Sequence, residues 1–308
     1  MSRSRVGFAG TSAWAADALT LLAGDPALEI ALVLTQPDRP AGRGRALRRP
    51  PVAERAAELE LPLLQPERPA EALERIRIDR LGSMAVVAYG ELVPRPLLDE
   101  LPWLNLHPSR LPRWRGAAPI ERALMAGEDE LAACVILLVE ALDAGPIAAS
   151  AGFTLAPEDD AVDAYRRSLE LGAPLLARAL ADAATGQLAT VPQIGESSYA
   201  AKLEKADLAL DPGEPWEALL ARVRALAATT GARLSAGGQL LSVWRARPAP
   251  DAPALVPGVL VVDDGRVLLG VRDGALELVD VQPSGRRRMP ATAWARGLRG
   301  ELPHAVAP

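Results

Sequence analysis

The sequence predicts an α/β protein in which a parallel-sheet domain is followed by a small β domain. Up to about residue 190, short apolar runs alternate with helical segments, and such alternation favours parallel strands joined by helices. After about residue 207, short apolar runs are separated by Gly-Gly and Asp-Gly pairs, which are typical of the turns in antiparallel hairpins. A length of 308 residues suits two domains of ordinary size.

The first domain is predicted from its alternating strands and helices. Residues 5–9, RVGFA, are typical of a short buried strand, residues 10–12 are predicted to form a turn with a helix-capping serine, and an Ala- and Leu-rich helix is predicted to follow. A continuous apolar run such as 134–142 is typical of a strand buried on both faces. The predicted strands are 5–9, 29–35, 84–88 and 134–142, and the predicted helices are 14–22, about 51–60, a segment ending near 127, and about 160–184.

The second domain is predicted to be a β domain that follows an extended linker. The segment 191–206 has little apolar periodicity, which indicates a connection rather than a packed element. Beyond it lie a predicted helix at 214–228 and predicted strands at 232–247, 257–263, 266–272 and 275–282. The sequence therefore predicts domains at 1–190 and 207–308, joined by the linker 191–206.

Composition places limits on the function. Hydrophobic residues make up 49 % of the chain, but no apolar run approaches the roughly 18 residues needed to cross a membrane. The amino terminus lacks the apolar stretch of a secretion signal, so we expect a cytoplasmic protein with no membrane partner. With one cysteine, Cys134, and two histidines, the chain has few zinc ligands, and neither metal nor redox chemistry is expected.

Positive charge is concentrated in residues 35–51, here called the basic segment. The formal net charge is −5, which argues against a protein that coats nucleic acid over its whole surface. Within residues 35–51, however, a single acidic residue, Asp38, accompanies five arginines: Arg39, Arg43, Arg45, Arg48 and Arg49. Arginine suits phosphate groups because its donors form a planar fork. Two interpretations stay open for this segment, local nucleic-acid binding and an ordinary solvated run of charges.

Polar residues that suit acyl transfer appear where predicted strands end. Asn105 and His107 are two residues apart, so on a strand they point to the same face. An amide can donate to an oxygen that gains negative charge, and an imidazole can move protons near neutral pH. Asp143, which follows the run 134–142, can orient the imidazole. The alternative is that His107 is a hydrogen-bonded structural residue, which a lone Asn-x-His pattern does not exclude.

Several segments resemble one enzyme family. RVGFAGTS, LTQPDRPAGRGR, VVAYGELVP, LNLHPSRLPRWRGAAPI and EALDAGPI occur in the order and spacing found in the methionyl-tRNA formyltransferases. Farther along, SYAAKLEKAD and VQPSGRRRM are similar to that family's linker and C-terminal segments. The resemblance runs nearly end to end, and SRLPRWRGAAPI is too long a match to arise by chance. The turn at Gly10, in contrast, lacks the spacing of a dinucleotide-binding glycine motif.

The resemblance implies a fold and an activity. The fold is a Rossmann-like formyltransferase domain with a parallel-sheet core, followed by a small OB-like β-barrel domain that binds tRNA. The implied reaction moves the formyl group of 10-formyltetrahydrofolate, without a metal, to the amino group of methionyl initiator tRNA for translation initiation. We expect a monomer, because no unpaired apolar stripe is evident in the sequence.

The resemblance also implies roles for particular residues. The catalytic positions are matched by Asn105, His107 and Asp143. The folate-binding positions are matched by Tyr89, Gly90, Glu91, Leu92, Ser109, Leu111 and Pro112. The loop that enters the acceptor arm of tRNA is matched by Arg39, Arg43, Arg45, Arg48 and Arg49, and a second phosphate contact is matched by Arg287 with its neighbours Arg286 and Arg288. For Arg113 and Arg115, shaping of the loop beside His107 and contact with substrate remain alternatives.

The chain departs from the family pattern beside Asp143. The departures are Cys134, Leu138, Ala141 and Ala144, and they bear on folate affinity more than on the reaction. Two other functions stay open. A formyltransferase for a sugar nucleotide or a purine precursor would use the same three catalytic residues but would not need the basic segment. A catalytically silent RNA-binding protein would be expected to have lost at least one of the three.

Overall fold

A computed structural model describes residues 3–41, 46–298 and 302–308 of the chain. Arg43 and Arg45 of the basic segment therefore lie outside the described residues. The chain divides into two compact units of three segments each. The first unit comprises Met1–Gly116, Ala132–Phe153 and Tyr165–Tyr199, and the second comprises Ala117–Leu131, Thr154–Ala164 and Ala200–Pro308. The domain boundaries at 190 and 207 stay a prediction.

Strands and helices follow one another along the described residues. The strands are β1 (Ser4–Gly10), β2 (Leu28–Leu34), β3 (Arg39–Ala41), β4 (Ala46–Arg48), β5 (Leu63–Leu64), β6 (Ser83–Val87), β7 (Trp103–His107), β8 (Arg115–Gly116), β9 (Glu130–Leu137), β10 (Ile147–Thr154), β11 (Tyr199–Ala200), β12 (Ala232–Ala236), β13 (Gln239–Pro248), β14 (Leu260–Asp263), β15 (Arg266–Val271), β16 (Gly274–Pro283), β17 (Met289–Pro290) and β18 (Ala305–Val306). The helices are α1 (Ala13–Ala23), α2 (Pro51–Glu58), α3 (Leu73–Ile78), α4 (Arg95–Leu98), α5 (Pro119–Met125), α6 (Ala161–Ala184), α7 (Trp216–Leu226) and α8 (Ala291–Gly297), with 3₁₀ turns at Pro69–Ala72 and Ala206–Leu208.

The first unit is organised around a sheet in the order β10-β9-β7-β6-β1-β2-β5. Strand β1 is parallel to β2 and β6, β2 is parallel to β5, and β6 is parallel to β7. The predicted α/β fold with a parallel-sheet core is therefore confirmed. Strand β9 runs antiparallel to β7, a direction that its apolar sequence does not reveal, because an apolar run indicates burial and not direction.

Apolar side chains cover both faces of this sheet. Phe8 of β1 packs with Leu19 of α1 and Leu176 of α6 in one cluster, while Trp103 of β7 and Ile76 of α3 belong to another. Because both faces are covered, the central strands have continuous apolar sequences. Full burial of a side chain such as Phe8 stabilises the fold by roughly 1.5–3 kcal/mol.

Helix α6 is held against the sheet by contacts between distant parts of the chain. The indole Nε1 of Trp14, in α1, donates to the carbonyl oxygen of Tyr165 at 3.0 Å, and the two ring centroids are 5.4 Å apart. The hydroxyl of Ser83, in β6, donates to the carbonyl oxygen of Leu180 at 3.0 Å. These contacts place α6 directly over the central strands.

Some elements differ from the sequence prediction. The strand expected at 134–142 ends at Leu137, and the residues that follow leave the sheet, so that Val139 and Leu142 are 43 % and 48 % exposed. The sequence also does not predict β10 or α8. Strand β10 consists mostly of Ala, Ser and Gly, which have little preference for strands, and its residues are all half-buried or exposed at the edge of the sheet.

The second unit contains an antiparallel sheet in the order β14-β15-β16-β13-β12-β18, with β17 paired to β16. The strand predicted at 232–247 is two strands, because Gly237 and Gly238 form a turn with φ values of 58° and 77°. Asp264 and Gly265, with φ values of 45° and 73°, form the predicted hairpin turn between β14 and β15.

This antiparallel sheet curls into a half-barrel. The N–H of Ala305, in the terminal strand β18, donates at 2.7 Å to the carbonyl oxygen of Gly258, which lies just ahead of β14 at the other end of the strand order. In the core of this unit, Leu219 and Val223 of α7 pack with Val243 of β13. The predicted class of a small β domain is confirmed in this curled form.

A half-buried ion pair joins α5 to the chain ahead of α7 within the second unit. Two guanidinium nitrogens of Arg122 donate to the two carboxylate oxygens of Asp207, each at 2.7 Å. The same guanidinium donates to the carbonyl oxygens of Ala201 and Lys202 at 3.0 and 3.1 Å. These hydrogen bonds favour the charged carboxylate, so Arg122 lowers the pKa of Asp207.

Replacing Asp207 with asparagine is expected to lower the free energy of unfolding at pH 7 by about 1 kcal/mol. Because the folded pKa lies below the unfolded value, the stabilisation is present above the unfolded pKa of about 4 and is lost as pH falls through the folded pKa. Urea unfolding at pH 7 and pH 3 should therefore show a smaller deficit at pH 3. Glu217→Gln, at an exposed site on α7, is the control, and equal deficits at both pH values would contradict the assignment.

Candidate active site

The candidate catalytic residues meet in the first unit. Asn105 and His107 lie at the carboxyl end of β7, on one face of the strand, as predicted. Asp143 follows β9 in the chain. Because β9 is antiparallel to β7, it ends at the opposite edge of the sheet, and a loop has to bring Asp143 back to Asn105 and His107. The loop 138–146 returns to the end of β9, where the N–H of Leu137 donates to the carbonyl oxygen of Pro146 at 3.0 Å.

Asp143 links the two other candidates. Its Oδ1 accepts a hydrogen bond from Nδ2 of Asn105 at 3.3 Å, and its Oδ2 lies 3.7 Å from Nδ1 of His107. The backbone N–H of Gly116 also donates to Oδ2, at 2.9 Å. His107 is 4 % exposed and Asp143 is 8 % exposed, so solvent screens their interaction only weakly. The structure thus brings the three predicted residues into one cluster.

The second nitrogen of the His107 ring faces the backbone. Its Nε2 lies 2.9 Å from the carbonyl oxygen of Trp114. A carbonyl oxygen only accepts hydrogen bonds, so Nε2 carries a hydrogen in this arrangement, and Nδ1 faces the carboxylate. Trp114 adopts the left-handed region with φ 60°, and Gly116 follows with φ 123°, which glycine adopts without steric cost. The sharp path of residues 114–116 therefore supplies partners to both His107 and Asp143.

The loop after β6 contains four of the predicted folate-binding residues. Tyr89 is buried, and its carbonyl oxygen accepts from the hydroxyl of Thr11 at 2.6 Å and from Nε2 of Gln36 at 3.1 Å. Burial and the charge of Glu91 raise the pKa of Tyr89 to about 12, so the phenol is neutral at physiological pH. Gly90, with φ 81°, Glu91 and Leu92 are exposed.

The other three predicted folate-binding residues lie in the turn that follows β7. Ser109 is fully buried, and its hydroxyl donates to the carbonyl oxygen of Arg113 at 2.8 Å. The N–H of Leu111 donates to the carbonyl oxygen of Ser109 at 3.0 Å, and both Leu111 and Pro112 are buried. These residues fix the path of the turn beside His107, and their contact with folate stays a prediction.

Sequence reasoning missed a set of residues that hold the cluster in place. Residues 193–198, here called the strap, run beside the loops that contain Asp143 and Trp114. The amide of Gln193 donates to the carbonyl oxygens of Asp143 and Gly145, each at 2.8 Å, and accepts from Arg115. The strap falls in the predicted linker, whose weak apolar pattern contains no signal for this role. The bond between Arg115 and Gln193 favours the loop-shaping interpretation of Arg115.

The basic segment is exposed where the structure describes it. Strands β3 and β4 pair antiparallel, and Arg39, Arg48 and Arg49 are all exposed. Arg39 lies 3.7 Å from Glu91 in an ion pair that is open to solvent. In the second unit, Arg287 is exposed beside Arg288, which pairs with Asp280 at 3.0 Å and lies over the ring of Trp244.

Two further observations bear on function. Cys134 is buried in β9, and burial raises the pKa of its thiol, so it behaves as a small apolar residue. Within the described ranges, no helix combines the length and apolar character that crossing a membrane requires.

Comparison with known families defines the class of this protein. The family described as formyl transferase matches residues 5–180, and the formyl transferase C-terminal domain matches residues 202–299. The first match covers the parallel sheet and all three residues of the cluster, and the second covers most of the curled sheet. Fold and site together define a formyl transferase, which is a one-carbon transferase.

Similar proteins narrow the family. The chain is 41 % identical to a methionyl-tRNA formyltransferase from Arthrobacter sp. over 95 % of this chain and 96 % of that one, and 43 % identical to one from Leifsonia xyli over 96 % and 98 %. The chain belongs to the methionyl-tRNA formyltransferase family, which confirms the resemblance seen in the sequence. HypX from Aquifex aeolicus, in complex with tetrahydrofolic acid, has the same fold, with a TM-score of 0.67 and 18 % identity over 96 % of this chain. This chain spans about half the length of HypX, 47 %.

Proposed function

We propose that this protein transfers the formyl group of 10-formyltetrahydrofolate to the α-amino group of methionyl initiator tRNA, giving N-formylmethionyl-tRNA for translation initiation. The observation that carries the proposal is the cluster in which Asp143 lies against both Asn105 and His107. The names of relatives that are 41 % and 43 % identical over nearly the whole chain support the acceptor, and the folate bound to HypX supports the donor.

Asn105 and His107 are proposed to stabilise the negative charge that develops on the formyl oxygen. When bound, 10-formyltetrahydrofolate supplies the formyl carbon and, at its N10, the leaving nitrogen. Attack by the α-amine moves charge onto the formyl oxygen, where fixed donors stabilise it most strongly. One amide hydrogen of Asn105 points to Asp143, and the second can donate to this oxygen. A protonated His107 ring adds a positive charge beside it.

Asp143 is proposed to fix His107 and to take part in proton transfer. Asn105 and Gly116 hold the carboxylate by hydrogen bonds of 3.3 and 2.9 Å, so it does not rotate freely. Formation of the new C–N bond releases a proton from the amine, and the leaving nitrogen needs one. A carboxylate next to an imidazole can accept the first and supply the second, directly or through water.

The residues after β6 fit a flat donor with polar edges, and we propose that 89–92 bind it. Gly90 is exposed, and a Cβ at this position would lie 2.7 Å from Nε2 of Gln36, so glycine keeps the backbone open. Exposed N–H and C=O groups of such a turn can pair with the edge of a pterin ring. Leu92, which is 72 % exposed, offers apolar surface next to these polar groups.

The exposed arginines are proposed to bind the phosphates of tRNA. Arg39, Arg48 and Arg49, with Arg43 and Arg45 between them, would contact the acceptor arm, and Arg287 would add a contact from the second unit. The ion pair of Arg39 with Glu91 is solvent-exposed and therefore easily exchanged for a phosphate. Arginine forks give charge-assisted pairs of hydrogen bonds to phosphate oxygens.

Replacing Arg43 with alanine is expected to raise KM for methionyl-tRNA by about 10-fold with little change in kcat, because it removes one phosphate contact. The dependence of kcat/KM on salt should also become shallower. Arg178→Ala is the matched control, since Arg178 is 80 % exposed on α6, away from the basic segment in the sequence. A lower kcat at unchanged KM would show that Arg43 acts in the chemistry instead.

The function is tested by incubating the purified protein with 10-formyltetrahydrofolate that carries a labelled formyl group and measuring which acceptor gains the label. Methionyl initiator tRNA, uncharged tRNA, a nucleotide-sugar amine and a purine-precursor amine serve as parallel acceptors. Label on the charged tRNA alone is the expected result. Label on the sugar or purine-precursor amine alone would reassign the acceptor, and silence with every acceptor, together with RNA binding, would favour a protein without catalysis.

We further propose that the protein acts in the cytoplasm as a monomer. Its acceptor belongs to translation, and the described surface shows exposed large apolar residues scattered over many elements. Sedimentation at micromolar concentration should give one species near 32.5 kDa. A stable dimer would overturn this part of the proposal.

A further inference from the structure

We propose that Gln193 is a positioning residue for formyl transfer, which acts by holding the backbone on either side of Asp143. This inference rests on the proposed function. Gln193 lies in the strap, within the first unit, which also contains its partners Asp143, Gly145 and Arg115.

All the hydrogen-bonding capacity of the Gln193 amide is used. Its Nε2 donates to the carbonyl oxygen of Asp143 and to that of Gly145, both at 2.8 Å. Its Oε1 accepts from Nε of Arg115 at 3.1 Å and from a terminal guanidinium nitrogen at 2.6 Å. An amide has two N–H donors and an oxygen with two lone pairs, so this set satisfies it completely. Arg115 also fixes the orientation, since only the oxygen can accept from it.

The backbone that Gln193 holds has an unfavourable conformation. Asp143 has φ 49°, in the left-handed region, which costs an L residue other than glycine on the order of 1 kcal/mol. Such a conformation persists only where surrounding bonds hold it. The two hydrogen bonds from Gln193 hold the carbonyl groups of Asp143 and Gly145, which lie on either side of Ala144. They therefore fix the direction in which the Asp143 side chain projects from the loop.

The strap also holds the loop on the other side of the cluster. The hydroxyl of Ser198 accepts from the N–H of Trp114 at 2.9 Å, and its carbonyl oxygen accepts from the N–H of Arg115, also at 2.9 Å. The carbonyl oxygen of Trp114 is the partner of His107. One segment of the chain thus sets the positions of the groups that orient both Asp143 and His107, although no strap residue belongs to that cluster.

Gln193→Glu tests this role with almost no change in size. The carboxylate keeps the contact with Arg115 but places an oxygen against two carbonyl oxygens, so the Asp143 loop must shift. We expect kcat to fall by about 10- to 100-fold while KM for methionyl-tRNA and for 10-formyltetrahydrofolate stays within about twofold, as for misplacement of a catalytic group. As pH falls, protonation of the introduced carboxylate restores one donor, so the ratio of variant to wild-type kcat should rise.

Gln187→Glu is the control, because Gln187 is exposed in the same unit. Asp143→Asn provides a second test: adding Gln193→Glu to it should cause little further loss in single-turnover rate, since Gln193 acts through Asp143. A folded Gln193→Glu protein with wild-type kcat, or with a loss confined to KM and independent of pH, would overturn the inference. Absence of transfer by the wild-type protein would instead overturn the proposed function.

Discussion

Replacement of His107 with alanine is expected to lower kcat for formyl transfer by about 10³-fold, within the range typical of a lost proton-transferring or charge-stabilising group. The ring lies between the carboxylate of Asp143 and the carbonyl oxygen of Trp114, so alanine removes a donor and leaves both acceptors without this partner. Single-turnover transfer to methionyl-tRNA measures the loss directly, free of product release.

Two further variants separate chemistry from folding at this site. His107→Gln keeps a buried polar side chain of similar length that can donate toward Trp114 but cannot gain a proton, so it should fold like the wild type and still be slow. His304→Ala changes the other histidine, which is exposed in the second unit, and should keep full activity. Wild-type rates for His107→Gln would show that the ring serves structure alone.

Replacement of Gly145 with alanine is expected to lower the free energy of unfolding by about 3 kcal/mol, at the upper end of the usual cost of overpacking. A Cβ at this position would lie 1.7 Å from the carbonyl oxygen of Leu137 and 2.9 Å from its carbonyl carbon. Those atoms are backbone at the end of β9, so the loop must move instead. Because Asp143 is two residues away, transfer should fall as well. Urea unfolding and kcat measure the two effects.

Gly24→Ala is the matched control for this substitution. Gly24 ends α1 with φ −81°, and a Cβ there would find its nearest neighbours at 3.6 Å, which is ordinary contact. Its stability and activity should equal those of the wild type. Unfolding of Gly145→Ala at the same urea concentration as Gly24→Ala would contradict the prediction, because it would show that the loop accommodates a methyl group at position 145.

The central strands could be predicted because their burial on both faces leaves continuous apolar runs. Strands β1, β2 and β6 begin and end within one or two residues of the expected positions. The end of β9 could not be predicted in the same way. Val139 and Leu142 extend the apolar run into the loop, where they are exposed, and no local signal separates a buried valine from an exposed one.

The candidate catalytic residues could be predicted because their side chains carry amide, imidazole and carboxylate groups that suit acyl transfer. The residues that hold them could not. Trp114 acts through its carbonyl oxygen, which every amino acid has, and Gln193 lies 50 positions beyond Asp143 in a segment without apolar periodicity. The sequence also does not reveal the antiparallel direction of β9, so the path by which the loop after β9 brings Asp143 back to β7 could not be predicted.

The packing of α6 on the central strands also sets the time at which the first unit can finish folding. Trp14 and Tyr165 are 151 positions apart, and Ser83 and Leu180 are 97 apart, so the strands are synthesised long before the helix that covers them. At ordinary rates of translation this delay is on the order of 10 seconds. During that interval the part of the apolar face that α6 later covers, including Leu106 opposite Gly172, is exposed and open to aggregation or to chaperones.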